Sequence, residues 1–307
     1  MFTPPKSTNV PAAGADRSPP RLNAMMACDT AFRVVARRHL ADLTASHEAT
    51  CQGDPAALHQ MRIALTHLRA TILFFSPMVD DVQRTQIRSE LKWLNARLGA
   101  VRDLDVAIER LRMTARKRSL QANDRSWERR RRNSHRHLAR ALRSVRYRQL
   151  IKNTSDWIGH GPWCIARGKR AAKRRARPIA AYSLRKLTRW QDKLLKKSRK
   201  LPKLGVKKRH RVRLMNKKLC YSIEALGDLS AAKGFSRRQG ALKHLRKAQK
   251  SLGHLNDGAR GQSLAASLGP DSVRLPLQFL SRKRERRLTR TAVKAHRKLA
   301  ALKPFRG

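Results

Sequence analysis

Apolar residues recur at positions i, i+3, i+4 and i+7 along most of the chain from Ala24 onward. This spacing puts them on one face of an α-helix, and no stretch alternates between apolar and polar residues as a half-buried strand does. The pattern therefore predicts an all-α fold. The predicted helices span residues 25–48, 57–75, 82–98, 103–118, 124–150, 178–199, 207–227, 236–252, 257–268 and 273–301.

Changes in composition divide the chain into segments. Residues 1–23 are rich in proline, alanine, glycine and serine, which predicts a disordered leader. The remaining segments are expected to be a first bundle half, a basic connecting segment and a second bundle half, at residues 24–150, 151–200 and 201–307. The basic stretch 157–223 holds a single acid, Asp192. Two structures account for this excess of basic residues: a solvated linker, or a loop that folds onto a polyanion.

An internal repeat relates the two halves. Residues 59–69 (HQMRIALTHLR) align with 210–220 (HRVRLMNKKLC), sharing the histidine, an arginine three residues later and a leucine. Residues 91–103 (LKWLNARLGAVRD) align with 245–257 (LRKAQKSLGHLND) at nearly the same offset. Each half thus follows the same plan, and two similar helical bundles in tandem are the expected architecture.

Polar residues form a narrow stripe on the first repeated helix, beside its apolar face. The stripe consists of His59, Arg62, Thr66 and Arg69, and the apolar face of Met61, Leu65, Leu68, Ile72 and Phe75. The second copy repeats the stripe with His210, Arg213, Lys217 and Cys220, beside Val212, Leu219, Ile223 and Leu226. Cations that border a core face lie in a groove between helices, and a groove of one sign concentrates anions.

These residue types suit phosphate. Arginine offers a two-pronged set of donors to phosphate oxygens, and lysine offers a compact charge. A histidine near the same phosphate donates a ring N–H and gains charge there. An ordinary solvated helix face accounts for either copy taken alone, and the repetition on matching faces favours a shared ligand site.

The second repeated element is Leu-Gly-x-x-x-Asp. Gly99 and Gly253 are predicted to end one helix in the left-handed conformation, and Asp103 and Asp257 to cap the next helix. The alternative is that the carboxylate orients arginines in a basic groove, as Arg102 beside Asp103 permits.

Charge narrows the choice of partner. The 307 residues include 72 Lys and Arg against 20 Asp and Glu, a formal net charge of +52, while hydrophobic residues make up 40%. Such a chain folds, yet its cations repel one another unless a counter-charge is bound. The partner is therefore expected to be polyanionic: polyphosphate, nucleic acid or an anionic membrane.

Other features exclude several classes of protein. The four cysteines have neither CxxC nor metal-type spacing, which argues against a disulfide framework and a zinc site. We find no signal-peptide pattern, no apolar run long enough to span a bilayer and no cofactor motif. A cytoplasmic protein with no metal, cofactor or membrane partner is expected.

The repeated segments, followed by LDVAIERL in the first half and YSIEAL in the second, resemble both halves of a CHAD domain. The resemblance implies two helical bundles related by a pseudo-twofold axis, with a basic cavity that binds inorganic polyphosphate, and some members localise to polyphosphate granules. The ligand-binding positions that it implies are His59, Arg62, Arg69, Lys92, His210, Arg213, Lys217, Lys218 and Arg246. Thr66 and Cys220 depart from the family, which usually has basic residues at both places.

Two further functions compete with polyphosphate binding. Nonspecific nucleic-acid binding is the alternative, through residues 125–148 with their ten arginines and one glutamate, although no recognition motif is present and aromatic residues are few.

Catalysis is the third hypothesis. There is neither a P-loop nor the ExExK pattern of the triphosphate-tunnel domains fused to some relatives, so only a phosphohistidine at His59 or His210 remains. A non-catalytic binder is expected.

Overall fold

The computed structural model describes residues 21–117, 124–165, 168–231, 237–267 and 281–302. Within these ranges the chain is helical, and its only extended pairing is an isolated bridge between Ala27 and Pro178. The predicted all-α class is confirmed. The predicted leader lies almost entirely outside the described residues, as does the start of the predicted helix 273–301.

Eleven α-helices occupy the described ranges. They are α1 Cys28–Ala45, α2 His47–Cys51, α3 Pro55–Phe74, α4 Val82–Lys117, α5 Asp124–Leu142, α6 Val145–His160, α7 Lys169–Arg175, α8 Ile179–Ser198, α9 Val206–Ala225, α10 Arg238–Ser267 and α11 Arg282–Ala301. Short 3₁₀ turns follow α6, α8 and α9. None of the described helices is both long and apolar enough to cross a membrane.

Polar caps set several helix starts. Asp54 accepts a hydrogen bond from the Ala56 N–H, and Pro55 follows it at the first helical position, so α3 begins sharply. Ser144 accepts from the Tyr147 N–H and starts α6. The single helix predicted over 124–150 is therefore wrong, because this cap divides it into α5 and α6.

Both repeated glycines lie inside a helix, not at its end. The structure continues α4 through Gly99 and α10 through Gly253, so the predicted caps at Asp103 and Asp257 are wrong. The reason is packing: Leu98 and Val101 are both buried in the core on either side of Gly99. This burial outweighs the cost of a glycine within a helix, about 0.5–1 kcal/mol relative to alanine.

Replacing either glycine with alanine should therefore stabilise the protein. A Cβ built at Gly99 or Gly253 meets no heavy atom within 4 Å. We expect each change to raise the free energy of unfolding by about 0.5–1 kcal/mol, measured by urea denaturation. Gly53 is the control, because its φ of 89° is a left-handed conformation that strains alanine. Destabilisation by Gly99→Ala would show that α4 is not continuous there.

The two repeated helices pack against each other and against equivalent neighbours. The first copy, α3, contacts α1 and α4, the second copy, α9, contacts α8 and α10, and α3 also contacts α9 directly. All nine apolar residues predicted for the core faces of these two helices are buried. The core therefore lies directly beneath the cationic stripes, as their spacing predicts.

A buried polar chain joins the four helices α8, α9, α10 and α11. His296 on α11 lies 2.9 Å from Asn216 Oδ1 through Nε2 and 2.5 Å from Ser198 Oγ through Nδ1. Asn216 Nδ2 in turn donates to the Leu245 carbonyl at 3.0 Å. All three side chains are buried. This serine–histidine–asparagine arrangement is out of reach of a substrate, so its role is to hold the bundle together.

Candidate functional site

The first seam of the candidate site lies between α3 and α4. His59 stands at its start, where partial burial, and then the charges of Arg102 and Arg62, lower the pKa of the imidazole. Arg102 was not among the predicted site residues, although the sequence places it next to Asp103. The lowered pKa favours the neutral imidazole, and an anion that offset these two charges would favour the protonated form.

Asp103 lies beside an arginine of the first stripe. Its carboxylate is 3.8 Å from an Nη atom of Arg62, an ion pair that favours the alternative role of the repeated aspartate in this half. Thr66 lies one turn further along and donates its hydroxyl to the Arg62 carbonyl at 2.7 Å. The threonine therefore adds no charge to the seam and uses its donor within α3.

Arg69 continues the first stripe toward the end of α3. Partial burial, and then the charge of Arg88 on α4, lower the pKa of Arg69. Lys92 is exposed one turn beyond Arg88 on the same helix. The predicted cations Arg69 and Lys92 thus flank Arg88, which the sequence reasoning did not single out.

The second seam, between α9 and α10, repeats this arrangement with different partners. His210 Nδ1 lies 2.7 Å from Asn256 Oδ1, and Asn256 is the repeat equivalent of Arg102. The Arg213 Nε atom is buried without a hydrogen-bond partner among the described residues. The side chain of Asp257 lies outside the described residues. A neutral amide therefore stands here where the first half has a cation.

Two lysines of α9 lie against aromatic rings. Lys217 Nζ is 5.5 Å from the centroid of the Tyr221 ring, and Lys218 Nζ is 3.6 Å from that of Trp190 on α8. Burial, and then the charge of Lys193, lower the pKa of Lys218. Both predicted lysines are thus partly buried at this site.

Lys186 on α8 is a cation that the sequence analysis missed. Its Nζ donates to the Tyr182 hydroxyl at 2.6 Å and to the Phe74 carbonyl, and lies over three aromatic rings. Burial, and then the charges of Lys218 and Arg189, lower its pKa to about 7. The signal in the sequence is a lysine spaced four residues from both Tyr182 and Trp190, within a stretch for which a basic connecting segment is predicted.

A carboxylate joins the two halves at the crossing of α3 and α9. Arg246 on α10 donates to Glu224 Oε1 from Nε at 3.0 Å and from Nη2 at 2.8 Å. The other oxygen of Glu224 lies 3.6 Å from His67 Nε2, and the His67 ring is 4.6 Å from that of Tyr221. Arg246 is therefore already paired, while Glu224 and His67 are site residues that sequence reasoning missed.

Cys220 belongs to the core, although the sequence places it on the polar stripe. Its side chain is buried, with Sγ 3.7 Å from Glu224 Oε1. Burial, and then the charge of Glu224, raise the pKa of the thiol to about 12. The buried, neutral thiol presents no charge to the groove, so Lys217 is the last cation of the second stripe.

One set of side chains in the described part of the chain has the spacing of a metal site. The ligand atoms of His47, Glu48 and Cys51 lie within 4.8 Å of one another. His47 Nε2 also lies 3.2 Å from the Leu142 carbonyl, and an Arg143 Nη is 3.9 Å from Glu48. These groups already have partners, and the arginine charge opposes a cation, so we assign no metal here.

The fold has known counterparts. A protein-family model described as CHAD domain matches residues 34–266. The chain is similar to the crystal structure of the CHAD domain from the plant Ricinus communis, with 23% sequence identity and a TM-score of 0.69 over 94% of this chain and 96% of that one. It is also similar to PptA from Streptomyces chartreusis, with 16% identity and a TM-score of 0.57 over 90% and 96% of the two chains. None of the curated proteins matches.

Proposed function

Because the chain belongs to the CHAD domain family, we propose that it binds inorganic polyphosphate without turning it over. The phosphate chain would follow the cations along the α3–α4 seam, the α3–α9 crossing and the α9–α10 seam. The side chains proposed to contact it are His59, Arg62, Arg69, Lys92, His210, Arg213, Lys217, Lys218 and Arg246, together with Lys186. Presence in the cytoplasm and at polyphosphate granules stays a prediction.

The observation that carries this proposal is the crowding of like charges at the site. Four cationic side chains there have a pKa lowered by burial and then by a neighbouring cation: His59, Arg69, Lys186 and Lys218. Each lowered pKa reflects a free-energy cost of holding the charged form in place, to which burial contributes most and the neighbouring cation adds. An anion that entered the site would offset the part due to like charge, so the crowding favours an anionic ligand.

A linear phosphate chain suits the site better than a compact anion. The seams belong to two repeated helix pairs, so a ligand that touches both needs length and a uniform row of charges. Each phosphate that a lysine or arginine neutralises releases condensed counterions, which makes such binding strong and sensitive to salt. Side chains on packed helices also lose little conformational freedom on binding.

A binding role without catalysis is supported by how the acids are used. The two carboxylates described at the seams and their crossing already have partners: Asp103 pairs with Arg62, and Glu224 with Arg246 and His67. Neither is left to hold a metal ion or act as a general base. Release of phosphate from polyphosphate, abolished by replacing His59 and His210, would instead indicate a phosphohistidine enzyme.

Nucleic-acid binding is the second candidate, and one feature of the structure favours it. The helix α5 exposes several arginines to solvent, at positions 125, 129, 132, 136 and 140. Such a surface attracts the backbone of any nucleic acid regardless of its base sequence. The described aromatic rings at the seams, however, pack against Lys186, Lys217 and Lys218, which leaves them poorly placed to stack on bases.

Competition between the two ligands tests this choice. With labelled RNA bound, we expect excess polyphosphate to displace it at a phosphate concentration about tenfold lower than RNA needs to displace polyphosphate. The reason is that polyphosphate has no bases and brings its charges closer together along one strand. Fluorescence anisotropy at fixed salt measures both directions. Equal displacement at matched phosphate concentration would contradict the preference.

A further inference from the structure

A cavity separate from the two seams lies between α5 and the turn that joins α2 to α3. Its volume is about 1030 Å³, and residues 51–53 form one wall. Five arginines of the α5 region line it: Arg131, Arg132, Arg136, Arg140 and Arg143. This volume exceeds what a single phosphate ion needs and is in the range of small-molecule sites.

The acids near this cavity are already engaged. Arg131 donates to Asp105 from Nε at 3.1 Å and to Glu128 from Nη1 at 3.2 Å. Glu128 also accepts from Arg112 at 3.0 Å. Burial opposes ionisation of Asp105, yet its contacts with His135 and Arg131 outweigh this and lower its pKa. Arg136 donates from Nη2 to the amide oxygen of Asn133, which lines the same cavity. The charges of Arg132 and Arg136 thus face the cavity without a carboxylate partner of their own among the described residues.

A histidine in the cavity wall is held in one orientation. His135 Nε2 lies 2.9 Å and 3.2 Å from the two oxygens of Asp105, so this nitrogen carries the proton and donates it to the carboxylate. The other nitrogen, Nδ1, is buried without a hydrogen-bond partner among the described residues and faces Gly53. A buried polar atom of this kind normally has a partner, which points to a ligand or water in the cavity.

We propose that this cavity is a second anion site, which takes a condensed phosphate of about three units. Arg132 and Arg136 would supply the bidentate contacts, and a water that donates to the unpartnered Nδ1 of His135 and to a phosphate oxygen would complete the site. Two ligands share this chemistry, the end of an inorganic polyphosphate chain and a nucleoside triphosphate, because each carries a linear triphosphate. This site is additional to the proposed seams and does not depend on them.

Calorimetric titration with tripolyphosphate at about 150 mM salt tests the proposal. The experiment uses the Arg62→Ala/Arg213→Ala protein, so that the seams contribute little. Adding Arg132→Ala/Arg136→Ala should weaken tripolyphosphate binding at least about tenfold, because two charge-assisted contacts are lost. The matched control is Arg125→Ala/Arg129→Ala, which removes the same charge from exposed positions of α5 outside the cavity and should change affinity by less than about twofold.

The outcomes separate this site from the seams. Equal weakening by both pairs of changes would overturn the proposal, because the effect would then be one of net charge. Absence of tripolyphosphate binding to the Arg62→Ala/Arg213→Ala protein would also overturn it. ATP in place of tripolyphosphate identifies the source: similar affinity supports a nucleotide, and much weaker binding supports the inorganic chain. Weakened binding of long polyphosphate by Arg62→Ala/Arg213→Ala tests the seams alone.

Discussion

Replacing Arg62 and Arg213 together with alanine should weaken binding of long-chain polyphosphate about 100-fold near physiological salt. Each change removes a charge-assisted contact, and we take about 1.4 kcal/mol for each because both side chains are partly exposed. The Arg62→Ala change also leaves Asp103 without its nearby guanidinium, which adds repulsion toward phosphate. The affinity is to be measured by anisotropy or calorimetry across a range of salt concentrations.

The salt dependence gives this prediction a second readout. Two fewer phosphate contacts should flatten the plot of log affinity against log salt by about 1.4, if each contact contributes as it does for a single-stranded polyanion. Arg97→Ala/Arg211→Ala is the control, since it removes one exposed arginine from each half outside the two stripes. An unchanged affinity of the Arg62→Ala/Arg213→Ala protein, with its melting temperature preserved, would contradict the assignment of the seams.

Much of the fold could be predicted because local periodicity reflects burial. The apolar spacing of α3, with Met61, Leu65 and Leu68 on one side, is the face that the structure buries, and α9 follows the same rule. The cap at Asp54 and Pro55 also uses only neighbouring residues, although the predicted helix begins two residues later, at 57. Features that depend on one helix and its own core face were therefore accessible from the sequence.

Helix ends were less predictable where packing overrides a local preference. Gly99 and Gly253 carry the usual signal for a helix end, yet the apolar stripe continues across both, and the gain from burial exceeds the glycine cost. At Ser144 the opposite occurs: one continuous helix is predicted, but a single serine cap interrupts a helical pattern that shows no glycine or proline. Periodicity alone does not decide between these cases.

The partners of the site residues could not be predicted, because they come from distant parts of the chain. Glu224 meets His67 from 157 residues away, and Lys186 donates to the carbonyl of Phe74 from 112 residues away. Such contacts depend on how α3 and α9 cross, which no local pattern encodes. The result matters for the charge of the site, since Glu224 pairs with Arg246, a residue that the family resemblance implies as a ligand-binding position.

Lowering the pH from about 6.5 to about 4 should destabilise the fold through His296. This histidine is buried, and burial lowers its pKa from 6.5 to about 4. The neutral ring satisfies the polar chain: Nε2–H donates to Asn216 Oδ1 and Nδ1 accepts from Ser198 Oγ. In the unfolded chain the same ring binds a proton at about pH 6.5. The unfolded state therefore gains protons first, and about 3 kcal/mol of stability is lost as the pH falls through this window.

A non-titrating side chain at this position isolates the effect. The free energy of unfolding, from urea denaturation between pH 7.5 and 4.5, should fall less steeply for His296→Gln than for the wild type, by up to about 1.4 kcal/mol per pH unit. Repulsion among the many cations grows in both proteins as the pH falls and so cancels in the comparison. His160→Gln, at an exposed histidine, should leave the wild-type slope unchanged. Parallel slopes for wild type and His296→Gln would contradict this prediction. They would mean that the buried ring binds its second proton at about the same pH as in the unfolded chain, and that the polar chain tolerates the charge.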